Sequence, residues 1–299
     1  SAGLICAGGT LGILIPPSIM LVVMGPVLEI PVTDLFAAAI IPGIMLASLY
    51  AAYTTLRCYL NPKLGPVLPV SERPKNMGKV WYEFFMGLVP PAALVFFALG
   101  SILFGLATPT EGAGMGAFGS ILLAVAYKKF TYKGLKEAMI KTLEITALIM
   151  FLVAASNFFG AVFSKLGTPS LLTDYLLGLE INKYWILAIM MAVIFLLGWP
   201  LEWVPIVLIV LPILLPLVQE LGFNLTWFAI LVAVNLQTSF LTPPFGFALF
   251  YLRGVAPKEV TTGHIYRGVA PFVLIQVLGL TLLWFFPSIV TIIPSLIPN

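Results

Sequence analysis

The sequence predicts an all-α polytopic membrane protein built on an inverted repeat, with two broken helices and a re-entrant hairpin. Three observations predict it. Of 299 residues, 61% are hydrophobic and 9% are charged, whereas a soluble domain carries about 25% charged residues. Two double prolines, Pro16-Pro17 and Pro243-Pro244, interrupt long apolar segments. The basic loops, read by the positive-inside rule, orient those two segments in opposite directions.

Spanning helices need about 20 apolar residues, and the runs that qualify are 3–24, 35–59, 84–106, 109–127, 143–163, 227–252 and 266–286. The first and sixth are broken at their proline pairs. Proline removes a donor and clashes with the carbonyl four residues back. A helix running into each pair therefore frees the carbonyls of Gly12 and Ile13, and of Ser239 and Phe240. The stretch 184–219 is interrupted by Gly198-Trp199-Pro200-Leu201-Glu202-Trp203. Its halves of about 15 residues are short for a crossing, which predicts a hairpin with its tip at 198–203. Segment 128–145, with Tyr132, Leu135, Met139 and Leu143 between lysines, reads as an amphipathic interfacial stretch.

Loops 60–82, 128–141 and 253–267 are rich in Lys and Arg and are expected on the cytoplasmic side. Segment 25–34, with only Glu29 and Asp34, is expected outside. The first broken helix then runs outward and the second inward. Windows 8–18 and 235–245 align without gaps on Leu14/Leu241, Pro16/Pro243 and Pro17/Pro244. Similar breaks in opposed helices are the sequence pointer to a transporter's binding site. The hairpin expected before the first broken helix would precede Ser1, so the chain reads as a piece that lacks part of its first repeat. Cys6 and Cys58 lie in apolar segments, and His264 is the only histidine. The cysteines argue against a disulfide framework or a Cys-based metal site, and the lone histidine excludes a multi-histidine metal site.

Three motifs occur in order: Gly9-Thr10-Leu11-Gly12-Ile13-Leu14-Ile15-Pro16-Pro17-Ser18, Thr108-Pro109-Thr110-Glu111-Gly112-Ala113, and Leu241-Thr242-Pro243-Pro244-Phe245-Gly246. With them the chain resembles the large membrane subunit of tripartite ATP-independent periplasmic (TRAP) transporters. The resemblance implies sodium-driven uptake of a small organic acid or similar solute across a bacterial or archaeal cytoplasmic (inner) membrane. It also implies a periplasmic substrate-binding protein and a small four-helix membrane subunit as partners, with no nucleic acid and no cofactor beyond the coupling Na⁺. The implied mechanism is an elevator. Its transport domain would contain residues 1–24 and 184–252. The scaffold would comprise 25–83, 84–142 with the amphipathic arm, and 253–299, with 143–183 as a connecting helix.

Freed carbonyls and hydroxyls are hard oxygen ligands suited to a monovalent cation, and helix C-terminal ends favour positive charge. The expected sodium ligands are Gly9, Thr10, Gly12 and Ile13 at the first break, with Thr238, Ser239, Phe240 and Thr242 at the second. Pro16, Pro17, Ser18, Gly198, Pro200, Glu202, Asn235, Pro243, Pro244 and Gly246 are expected to line the solute site. Thr108-Pro109-Thr110-Glu111 has a complete structural reading as a capped helix start, followed by a packing stripe at Gly112, Gly116 and Ser120. Asn157 reads as an interhelical hydrogen-bonding residue. A membrane hydrolase is disfavoured: no span carries a histidine, Gly-x-Ser-x-Gly is absent, and no helices carry paired aspartates. A primary pump is disfavoured because no Gly-x-x-x-x-Gly-Lys-Ser/Thr occurs. The alternatives that stay open are an elevator-type sodium/anion symporter without a binding protein, and a channel.

Overall fold

The computed structural model describes residues 2–66, 73–74, 76–243, 246–257 and 259–296. Among these residues every regular element is helical. Pro244 of the second break, together with Glu72, Lys75 and Lys258 of the charged loops, lies outside the described residues. The chain forms two compact units, one of residues 1–51 with 146–299 and one of 52–145.

In the larger unit, α1 (Ala2–Leu14) stops just before Pro16-Pro17, and α2 (Ile19–Leu28) leaves at a bend of 42°. Ser18 restarts the helix by accepting from the Leu21 amide at 3.4 Å, the standard N-cap solution for an orphan donor. Helix α3 (Val32–Leu60) follows. The hairpin consists of α8 (Lys183–Leu197), a tip at 198–202, and a return arm made of α9 (Trp203–Pro205), a π turn (Ile206–Val210) and α10 (Leu211–Glu220). At 1.5 Å per residue α8 reaches about 22 Å, short of a bilayer core of about 30 Å. The return arm is 18 residues and is by itself long and apolar enough to cross, longer than the sequence pattern implies. Pro212 withholds the amide that Leu208 would accept, and the helix continues there through the π turn instead of breaking.

Helix α11 (Leu225–Leu241) is the centre of this unit, with every residue from Trp227 to Leu241 buried. A helix that is apolar all round is a core helix, and α1, α2, α8, α12 (Phe247–Val255) and α13 (Thr262–Phe285) all pack on it. Thr242 is extended before Pro243, as the residue before a proline prefers. The α1–α13 contact is backbone against backbone: a Cβ on Gly3 would lie 1.8 Å from the Gly268 carbonyl oxygen.

In the smaller unit, α4 (Met77–Leu103) and α5 (Pro109–Ala126) pack antiparallel through Gly112 against Ile102, Gly116 against Ala98 and Gly119 against Leu94. The small-residue stripe thus runs through Gly119, while Ser120 is exposed and bonds its own helix. Thr108 and Glu111 form a reciprocal capping box, which is the structural role expected of that motif. A third proline pair, Pro90-Pro91, lies inside α4 without ending it, so a double proline alone does not make a break. Helix α6 (Tyr132–Lys165) is one uninterrupted helix of 34 residues that incorporates the amphipathic stretch. Asn157 on it is exposed and makes no interhelical hydrogen bond among the described residues.

Among the described residues, five helices are long and apolar enough to cross a membrane, or six if α1 and α2 form one bent span. Seven crossings were expected. Helix α5 is diluted by glycines and Glu111, and the break cuts α11 to 17 residues, so neither reaches the standard alone.

Candidate functional site

Three parts of the larger unit meet around a cavity of about 490 Å³: the middle of α1, the hairpin tip, and the end of α11 with α12. Helix α1 contributes Ile5, Cys6, Gly9, Thr10 and Ile13; the tip contributes Glu202 and Trp203. The second broken helix contributes Phe240 before the break, then Phe247, Ala248, Tyr251, Leu252 and Val255 after it. The lining is mainly apolar with few polar groups, the usual character of a small-molecule site. Its polar members include Thr10, Glu202 and Tyr251, and among the described residues no Lys, Arg or His lines it.

The first arm of the hairpin, α8, is seated on α11 by two rungs just before the tip. Asn235 donates its side-chain amide to the Met191 carbonyl at 2.7 Å, and Ser239 donates its hydroxyl to the Phe195 carbonyl at 3.2 Å. Both rungs join residues 44 apart, so α8 and α11 run in the same direction, as a hairpin entering beside its own broken helix requires. Gly198 lies directly against Ser239; a Cβ there would be 2.5 Å from the serine oxygen. Gly246 makes a similar approach to the Phe240 carbonyl, where a Cβ would sit at 2.7 Å.

Of the expected sodium ligands, Gly9, Thr10, Ile13 and Phe240 line the cavity, while Gly12 is exposed and is not among the lining. The freed carbonyls are only partly free. The Ser18 hydroxyl donates to the Ile13 carbonyl, and the Thr242 amide closes onto the Ser239 carbonyl at 3.1 Å. Residues just past each break thus supply donors to the helix end, and each carbonyl keeps a second lone pair. Thr242 donates to the Thr238 carbonyl at 2.7 Å and Thr238 to the Val234 carbonyl at 3.1 Å. Thr10 is buried and donates to the Ala7 carbonyl at 2.9 Å.

Of the expected solute-site residues, Glu202 lines the cavity. Gly198, Asn235 and Gly246 instead shape it from behind. Pro200 is exposed at the tip, Pro243 is half-buried, and Pro16, Pro17 and Ser18 are not among the lining. The sequence reading missed Gln237 and Gln276, both fully buried. The signal was present: a glutamine within an apolar span needs a hydrogen-bonding partner on a neighbouring helix. Gln237 donates to the Thr10 carbonyl at 2.8 Å, and Gln276 approaches the Thr10 hydroxyl at 3.4 Å. Among the described residues no group of three or more His, Cys, Asp or Glu is placed to hold a metal. Among the described residues, Glu202 is the carboxylate that lines the cavity.

Comparison with known proteins adds an independent line. The model of the family described as tripartite ATP-independent periplasmic transporter, DctM component, matches residues 1–289. The chain is 30% identical over 292 residues to the 2,3-diketo-L-gulonate TRAP transporter large permease protein of Escherichia coli (strain K12), covering 97% of the chain and 66% of that protein. It is 27% identical to the C4-dicarboxylate TRAP transporter large permease protein of Pseudomonas aeruginosa, over 98% of the chain and 67% of the relative. It is 28% identical to the sialic acid TRAP transporter permease protein of Haemophilus influenzae (strain 86-028NP), over 99% of the chain and 47% of the relative. The chain therefore spans between about half and two thirds of the length of these relatives.

Proposed function

The chain belongs to the DctM component family of tripartite ATP-independent periplasmic transporters, and on that premise we propose that it is the solute-conducting part of a sodium-coupled secondary uptake system. The observation that carries this reading is the family match over residues 1–289. The solute is a small organic acid or similar compound, in line with relatives named for 2,3-diketo-L-gulonate, C4-dicarboxylates and sialic acid. It is delivered by a periplasmic binding protein, and a small four-helix membrane subunit completes the complex in a bacterial or archaeal inner membrane. Residues 1–24 and 184–252 move as the transport domain against the remaining helices. Na⁺ binds at the helix ends before each break, where partial negative charge and second lone pairs favour a cation.

The test is uptake into proteoliposomes that contain the full-length version of this chain and its small partner, under an inward Na⁺ gradient. Uptake that requires both Na⁺ and the binding protein is the expected result. Na⁺-driven uptake without a binding protein would move the reading to a stand-alone symporter. Within the same assay, Thr242→Ala is expected to raise the Na⁺ concentration for half-maximal uptake by about tenfold, on the order of 1.4 kcal/mol. An unchanged Na⁺ activation curve would remove Thr242 from the ion site.

A further inference from the structure

We infer that Gln237 is a positioning residue that clasps the two broken helices across the axis of the repeat, so that ion binding at one break is felt at the other; this rests on the transport reading above. The window alignment that pairs Pro16 with Pro243 also pairs Thr10 with Gln237. These two equivalent positions are bonded to each other: the Gln237 amide donates to the Thr10 carbonyl at 2.8 Å. A contact between equivalent positions of two repeats lies where the axis relating the repeats passes, and α1 and α11 pack together there.

The residue types suit that place. Thr10 is 3% exposed and Gln237 0%, so both polar groups are out of water and each unmade hydrogen bond is costly. Two threonines are too short to bridge two helices through a side chain, and two glutamines at one crossing need twice the space. One glutamine reaching a backbone carbonyl, beside one short threonine, fits an axis. Gln276 of α13 adds a third strand to the clasp by donating to the Thr10 hydroxyl at 3.4 Å. The Gln237 side-chain oxygen is buried with no hydrogen-bond partner among the described residues. The amide is therefore oriented by its one bond to Thr10. Thr10 itself lines the cavity with Gly9 and Ile13, so the clasp touches the first half-site directly. On the other helix Gln237 is one residue before Thr238, whose carbonyl receives the Thr242 hydroxyl. Two ion-binding ends joined at one rigid crossing are energetically coupled, and coupling between sites shows itself as cooperativity.

The experiment uses Gln237→Leu, which keeps the volume and removes the donor, in the full-length chain reconstituted with its partners. Na⁺ activation of uptake is expected to lose cooperativity, its Hill coefficient falling towards 1, while the half-saturating concentration of solute-loaded binding protein stays within about twofold. A Na⁺ curve of unchanged steepness would overturn the clasp, even if the variant melts earlier, because a merely structural role lowers stability without flattening the curve. A second measurement does not depend on sodium coupling. Spin labels at Ile19 and Phe250, both exposed, report the spacing of the two broken helices in a cysteine-free background. Gln237→Leu is expected to broaden that distance distribution, and an unchanged distribution would equally overturn the inference. If wild-type uptake ignores Na⁺ while the distribution broadens, the sodium reading fails and the clasp stands.

Discussion

Gly198→Leu is expected to lower uptake by about 10- to 100-fold while leaving most of the protein folded. Even the first added carbon, a Cβ, would lie 2.5 Å from the Ser239 oxygen and 2.6 Å from its Cβ. Rotating the serine hydroxyl cannot relieve the second contact, because that carbon is fixed to the backbone of a helix buried on every side. Ser239 is further held by its bonds to the Phe195 and Asn235 carbonyls. The tip must therefore lift from α11, and overpacking of this kind costs about 1–3 kcal/mol, or roughly one to two decades in population. The cost falls on the seated tip, which borders the cavity through Glu202 and Trp203. Wild-type uptake by Gly198→Leu would show that the tip does not need this seat.

Gly3→Ala is expected to be the most damaging single methyl in the larger unit, read as loss of folded protein in detergent. Its Cβ would come 1.8 Å from the Gly268 oxygen and 2.3 Å from the carbonyl carbon. These are backbone atoms of α13 and cannot rotate away, so α1 and α13 must separate. In a membrane, close packing of small residues is what holds such helices together. The reciprocal change is milder in its geometry: a Cβ on Gly268 would meet the Gly3 nitrogen at 3.1 Å. Gly268→Ala should accordingly shift the thermal midpoint much less than Gly3→Ala. Equal midpoints for the two variants would contradict the α1–α13 packing described here.

Much of the fold was legible because two rules of the bilayer are strict: apolar runs must be long, and backbone groups must be satisfied. The break before Ser18, the hairpin tip at 198–202 and the long α3 and α13 follow from those rules. The return arm is longer than the sequence pattern implies because its helix begins at Trp203, within the expected tip, and runs on to Glu220. Pro90-Pro91 shows that a proline pair need not end a helix, since α4 carries the pair as continuous helix. Within the site, the residue types at the breaks were readable as oxygen donors, but their bonding was not. Ser18 and Thr242 turn back to the helix ends they follow, and Asn235 is spent on the Met191 carbonyl. The Thr10–Gln237 pairing needed three dimensions, although the 227-residue offset between the two windows already placed the two residues at equivalent positions.

The central claim is that the helix ends at the breaks hold Na⁺. Single cysteines at Gly9 and Gly12 test it most directly, because both positions are exposed and an added Cβ meets nothing within 4 Å. The full-length chain in membranes is exposed to a soluble thiol reagent in Na⁺ or in choline, with a cysteine at exposed Ile44 as the control. Na⁺ at ten times its dissociation constant should slow modification at residues 9 and 12 by about tenfold and leave residue 44 unchanged. Equal rates in Na⁺ and choline at residues 9 and 12 would contradict the account.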